Sequence, residues 1–250
     1  MFERLLAWVK PSKEKELCKA VTDGDLPMVK QLLADGADVN VVRWNGESPL
    51  RNAAAPGNVA ILRHLLSVGA RPNDASVGAA TETGNIEILE ALFSAGADPN
   101  AVWWGEPAIV RAVSCRPKME VVKKLLDAGA DPNAKGSICK RTALMYAAES
   151  RCGDAVKALL AAGADPHACD VEGHTVLMLA AEPRIFGEDE RQRVEIAKVL
   201  LQAGVDPNAK MYGRMMLSGL HEYWTALDFA ANNPELAGII EGAGGKRGLH

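Results

Sequence analysis

The sequence predicts an all-α repeat solenoid, on three observations. A phrase of the form Leu-Leu-x-x-Gly-Ala-Asp-x-Asn returns six times along the 250 residues. At four points a hydroxyl residue stands two positions before a leucine, and pairs of alanines follow that leucine. Each pattern has a mechanical meaning: the glycine stops a helix, the hydroxyl starts one, and the alanines let two helices approach closely.

Taken in order, Phe2, Leu5, Leu6 and Val9 form a helical stripe ahead of Pro11-Ser12, so residues 1–12 are expected to cap the first repeat. Repeats then run roughly over 13–38, 39–71, 72–98, 99–131, 132–165, 166–206 and 207–243, with a tail at 244–250, all as one domain. The closing phrases span Leu32 to Asn40, Leu65 to Asn73, Leu92 to Asn100, Leu125 to Asn133, Leu159 to His167 and Leu200 to Asn208. Their glycines, at 36, 69, 96, 129, 163 and 204, supply the left-handed backbone that a Cβ resists. Ser48-Pro49-Leu50, Thr142-Ala143-Leu144, Thr175-Val176-Leu177 and Thr225-Ala226-Leu227 are read as N-caps with a buried leucine. A degraded seventh phrase, Ile239 to Ala243, closes the series. Beyond it, Gly242 to Arg247 lacks the leading Gly and the following Ser or Thr of a phosphate loop, and reads as a frayed helix stop with a mobile tail.

These phrases resemble the ankyrin repeat, whose Thr-Pro-Leu-His-x-Ala and Gly-Ala-Asp-x-Asn motifs they match over nearly the whole chain. The resemblance implies a short β-hairpin finger followed by two antiparallel helices in each repeat. It further implies a curved stack with fingers and first helices on the concave side. The histidine of the motif is replaced here by Arg51, Met145, Met178 and Asp228.

A repeat of this size buries its apolar face only against its neighbours, so its periodic residues serve the scaffold and its departures are where recognition resides. About six residues are missing between Asn73 and Ala75, which should remove most of the third finger and leave a notch. The segment from Lys210 to Thr225 is long and apolar, bearing Met211, Tyr212, Met215, Met216, Tyr223 and Trp224. It is read either as partner contact or as a lid on the last repeat. Trp44, Trp103 and Trp104 fall in finger tips, as interface anchors or as aromatics stacked on their own chain. Pro183 to Gln192 lengthens a connection between helices, most simply as a solvated loop and helix start. The expected partner-binding residues are Trp44, Asn45, Glu47, Trp103, Trp104, Ile138, Lys140, Tyr212, Met215, Met216, Tyr223 and Trp224.

A net charge of −4 and a pI near 5.8 argue against a phosphate-neutralising surface, so no nucleic acid is expected. The amino terminus does not read as a secretory signal, and no apolar run is long enough to span a membrane. Five scattered cysteines, an odd number, suit a reducing, cytoplasmic setting. His64, His167, His174, His221 and His250 lie in different repeats or at the terminus, which suggests no catalytic set, no metal and no cofactor. The expectation is therefore a non-enzymatic module, monomeric alone, that binds another protein as scaffold, adaptor or stoichiometric inhibitor of immunity type. The alternatives are self-assembly through the solenoid ends, and a small-ligand sensor or enzyme regulatory subunit using the notch.

Overall fold

The computed structural model describes residues 12–43, 46–114, 117–183, 190–212 and 223–248. Residues 1–11 of the expected capping helix at 1–12, the tip residues Trp44 and Asn45, most of the lengthened connection after Pro183, and residues 213–222 of the apolar insertion lie outside these, while Ser12 is the N-cap of the helix that follows.

Helix starts are set by side chains that accept the first free N–H groups. Ser48, Thr142 and Thr175 accept from the N–H of Arg51, Met145 and Met178, as the motif requires. A second set, Asp25, Asn58, Asn85 and Asn233, caps the following helices in the same way. Glycines such as Gly24, Gly57 and Gly84, at φ 77°, 81° and 77°, turn the chain between the two helices of a repeat.

The chain forms two units, Met1–Trp103 and Trp104–His250. In the first, three helix pairs follow one another: α1 (Lys13–Asp23) and α2 (Leu26–Ala34), α3 (Pro49–Ala54) and α4 (Val59–Ser67), α5 (Asp74–Thr83) and α6 (Ile86–Ser94). The first helices pack in a row, α1 on α3 on α5, and the second helices pack likewise. Leu17, Val21, Val29, Leu50, Ile61, Leu62, Leu65, Ile88, Leu89 and Leu92 fill the space between the rows and are almost wholly buried. The strand β1 (Val102–Trp103) ends this unit.

The second unit opens with β2 (Glu106–Pro107) and continues through four pairs. These are α7 (Ala108–Ser114) with α8 (Met119–Asp127), α9 (Ala143–Glu149) with α10 (Gly153–Ala161), α11 (Val176–Ala181) with α12 (Glu190–Gln202), and α13 (Ala226–Phe229) with α14 (Pro234–Gly242). Again α7, α9, α11 and α13 form one row and α8, α10, α12 and α14 the other. Before α13 the antiparallel strands β3 (Met211–Tyr212) and β4 (Tyr223–Trp224) pair Met211 with Trp224 and Tyr212 with Tyr223.

Neighbouring repeats are joined by the asparagine of the repeated phrase. Asn40 donates its amide N–H to the Gly69 carbonyl (3.1 Å) and accepts from the Arg71 N–H (2.7 Å). Asn133 makes the same pair with Gly163 and Asp165, at 3.1 and 2.6 Å. Asn208 repeats it with Gly244 and Lys246, at 2.9 and 2.8 Å. Residues 244–246 thus hold in the seventh repeat the closing place that Gly69 to Arg71 and Gly163 to Asp165 hold in theirs. The tail expected to be mobile is pinned through Gly248, whose N–H donates to Asp228 (2.8 Å).

Where α11 gives way to the lengthened connection, two arginines replace the usual glycine turn. Arg151, buried and at φ 60°, donates to the carbonyls of Leu179 (3.3 Å), Ala180 (3.1 Å) and Glu182 (2.5 Å). Arg193, 1% exposed, donates to the Ala181 carbonyl and to the carboxylate of Glu190, which also accepts from Asn233. A helix end lacking partners would leave these carbonyls orphaned, and cations there also oppose the helix dipole. Arg151→Gly keeps the left-handed turn but removes the guanidinium. It is expected to lower unfolding free energy by about 1–3 kcal/mol in urea titration.

Candidate interaction surface

In the first unit the absence of the third finger has a local cause and a local remedy. Asn73, the last residue of one repeated phrase, is at the same time the N-cap of α5: its side chain accepts from the Ser76 N–H (2.9 Å) and its own N–H donates to the Ser76 hydroxyl (3.1 Å). No residues remain for a hairpin. The vacated place is taken by Trp103, whose side chain lies on Gly78 of α5, so close that a Cβ at 78 would sit 2.5 Å from the indole Cγ. The far edge of the ring reaches Gly46, and the Arg51 guanidinium stands 5.7 Å from the ring centroid. What is left of the notch is a cavity of about 270 Å3 beside Asn40, Val42, Arg71 and Asn73. Glu47 is likewise engaged: it pairs with Arg43 (3.2 Å) and accepts from Asn52 (3.0 Å).

In the second unit the fingers touch in sequence. The turn at Gly105 lies against Ser137, the Glu106 carboxylate against Gly136, and Met211 against Gly173. The Val171 N–H donates to the Cys139 carbonyl (3.1 Å). Behind the tips, Asp170 ties two fingers together. Its carboxylate accepts from Arg141 Nε (3.0 Å) and from the Glu172 and His174 N–H groups (2.9 Å each), and lies 3.1 Å from His174 Nδ1. Arg141 continues to Glu149 (3.1 Å), and the His174 ring meets Phe229 edge-on at 6.2 Å. Burial disfavours the Asp170 charge, but the His174 N–H and the Arg141 guanidinium outweigh it and hold its carboxyl below the usual range.

The tips themselves face solvent. Trp104 is 73% exposed, Ile138 82% and Val171 62%, while Trp224, in β4 of a finger whose tip lies outside the described residues, is 36% exposed with its ring 6.3 Å from that of Phe229. Lys140 is exposed beside Ile138; Tyr223 is half-buried with the Lys210 ammonium 4.1 Å from its ring centroid. Of the residues expected from sequence, the structure therefore brings Trp104, Ile138, Lys140, Tyr223 and Trp224 onto the fingers of one unit. It packs Trp103 and Glu47 against their own chain in the other. Trp44, Asn45, Met215 and Met216 lie outside the described residues, and for Tyr212 only the backbone is described. Val171, Lys135 and Lys210 were not anticipated. Aligning Gly46 with Gly173 places Val171 in the slot of Trp44, the one signal that pointed to it.

Among the described residues no cluster of His, Cys, Asp and Glu has the grouping of a metal site, and no helix is long and apolar enough to cross a membrane.

Two outcomes follow from these contacts. Gly78→Ala is expected to cost about 1–3 kcal/mol by overpacking. In a Trp103→Gly background, where the Cβ of residue 103 that would also stand 2.5 Å from the added methyl is gone, the same change should become neutral or stabilising, because alanine is the better helix former; the denaturation cycle of the four proteins reads this directly. Asp170→Asn should cost about 2–3 kcal/mol at neutral pH, leaving Arg141 with Glu149 as its one remaining carboxylate among the pairs described above. Because the folded-state pKa is depressed, the wild-type advantage is fully present above the ordinary carboxylate range. It is lost as pH falls through the lower folded value, so the two melting curves should converge in acid.

The chain matches the family Ankyrin repeats (3 copies) over residues 17–102 and 109–211. Among curated proteins it is 42% identical over 53 residues to an L-asparaginase of Dirofilaria immitis and 44% identical over 70 residues to a 2-5A-dependent ribonuclease of Mus musculus. These stretches are 21% and 27% of this chain, and the chain spans only 9% of the length of either relative. Among solved structures it resembles the ankyrin repeat domain of Bcl-3, described as a unique member of the IkappaB protein family. That likeness has a TM-score of 0.69 at 24% identity, covering 90% of this chain and 97% of that one, and is a likeness of fold. With its repeated phrase, its paired helices and a family match over well more than half its length, the chain belongs to the ankyrin-repeat family.

Proposed function

We propose that this protein binds a partner protein through its fingers and the first helices of its repeats, as a scaffold, an adaptor or a stoichiometric inhibitor. Ankyrin repeats are in general protein–protein interaction modules, and the fold is typically non-catalytic. The observation that carries the reading is the exposure of one large apolar side chain on each finger of the second unit: Trp104, Ile138, Val171 and Trp224. Aromatic and aliphatic groups left in water on a rigid frame are costly unless they are used, and such groups dominate the energetics of interfaces. A preformed frame also loses little conformational entropy on binding. In this reading the protein is monomeric alone and works in a reducing, cytoplasmic compartment, which suits its four described cysteines, all free thiols with Cys139 and Cys169 exposed.

The test is affinity capture from native extract with the wild type and with a Trp104→Ala, Ile138→Ala, Trp224→Ala triple variant, followed by mass spectrometry. Loss of specific partners by a variant that keeps its thermal midpoint supports the proposal; unchanged recovery sinks it. Size-exclusion chromatography with light scattering is expected to return the mass of a single chain, whereas assembly through the fingers would return a multiple.

A further inference from the structure

Three described residues other than glycine adopt left-handed backbone: Trp104 at φ 53°, Lys140 at 56° and Arg151 at 60°. Side chains with a Cβ are strained there, and glycine is not. Arg151 has a structural reason, since its guanidinium closes the end of α11. Trp104 and Lys140 are different, because both stand at finger tips with their side chains exposed. At the place of Lys140 the neighbouring fingers show the unstrained solution, Gly105 at φ 76° and Gly173 at φ 86°. Strain retained under an exposed functional group marks a position kept for what its side chain does outside the fold.

The two tips are contiguous, since the Gly105 turn next to Trp104 rests on Ser137 of the finger that carries Ile138 and Lys140. Val171 continues the apolar row through its bond to Cys139. Charge along the described fingers of this unit is one-sided. Beyond the Asp-Pro turn that leads into each finger, where Asp131, Asp165 and Asp206 are exposed, Lys135, Lys140 and Lys210 are exposed against Glu172 alone. Asp170 is buried by Arg141 and His174, and Glu106 is half-buried against Gly136. Spacing adds a third constraint. Stacked helices lie about 8–10 Å apart, and a helix rising 1.5 Å per residue returns the same face every seven residues, roughly 10.5 Å.

We propose that the finger row of the second unit docks an acidic amphipathic α-helix of a partner protein. Apolar side chains of that helix, at heptad spacing, seat on Trp104, Ile138 and Val171, and its flanking carboxylates meet Lys135, Lys140 and Lys210. This rests on the protein-binding reading above and adds the chemistry of the partner.

The probe is a synthetic helical peptide of about three heptads, with leucine at every seventh position and glutamate and alanine elsewhere, against a twin with lysine for glutamate. Fluorescence anisotropy on the full chain should show the acidic peptide binding at least about tenfold more tightly than its twin, with affinity falling as salt rises. A Lys135→Glu, Lys140→Glu, Lys210→Glu variant should invert the preference. Trp104→Gly and Lys140→Gly should each weaken binding while leaving the thermal midpoint unchanged or raised. Equal binding of the two peptides, or none of the acidic one, overturns the proposal, as does a glycine variant that melts earlier yet binds unchanged. Failure of the acidic peptide while affinity capture still depends on Trp104, Ile138 and Trp224 would refute the acidic helix and leave the protein-binding surface standing.

Discussion

A single side-chain amide holds the registry of this fold. At three junctions the asparagine that ends a repeated phrase reaches across to the next repeat, donating to the carbonyl of its glycine and accepting from an N–H two residues on, as Asn40, Asn133 and Asn208 do. Apolar burial between rows of helices supplies the driving force, but it is non-directional and tolerates sliding. The amide has one donor side and one acceptor side, and satisfying both permits only one offset between neighbours. At the carboxyl end Gly244 and Lys246 satisfy Asn208 in the same manner, so the last asparagine is not left with an empty side.

Irregular repeats are then absorbed by specific substitutions rather than by loosening the stack. Where the third finger is absent, Asn73 caps a helix and Trp103 fills the space over Gly78. Where the connection after α11 lengthens, Arg151 and Arg193 take over the carbonyls that a tight turn would have satisfied. Both remedies place a large side chain against a neighbouring repeat. Trp103, anomalous in its own repeat, is explained by Gly78 of the preceding one, and Arg151 by the end of α11 in the following one.

Exposure separates the two kinds of anomaly. Trp103 and Trp104 are adjacent in sequence and identical in type, yet one is seated on a helix glycine and the other projects from a turn into solvent. The extended segment ends at Trp103, and the left-handed turn at Trp104, φ 53°, carries the next side chain into solvent. The surface that results is narrow: one apolar group per finger, flanked by lysines, over a buried network of Asp170, Arg141 and His174 that keeps two of the fingers in fixed relation. A firm base beneath exposed anchors is what lets a small contact area bind with specificity.

The repeat architecture, the helix starts at Ser48, Thr142 and Thr175, and the loss of the third finger were all legible in the chain, because each depends on residues close in sequence and recurring at a regular interval. Local patterns of capping, helix stopping and apolar spacing need no knowledge of what lies opposite. The fate of Trp103, the pinning of residues 244–248 and the pairing of Arg151 with α11 were decided only in three dimensions. Each is a contact between residues roughly twenty to thirty positions apart, where a group meets whatever the stack presents. Composition marked tryptophan and methionine as candidates for recognition; accessibility, a property of the stack and not of the residue, determined that Trp104 and Ile138 face outward while Trp103 turns in.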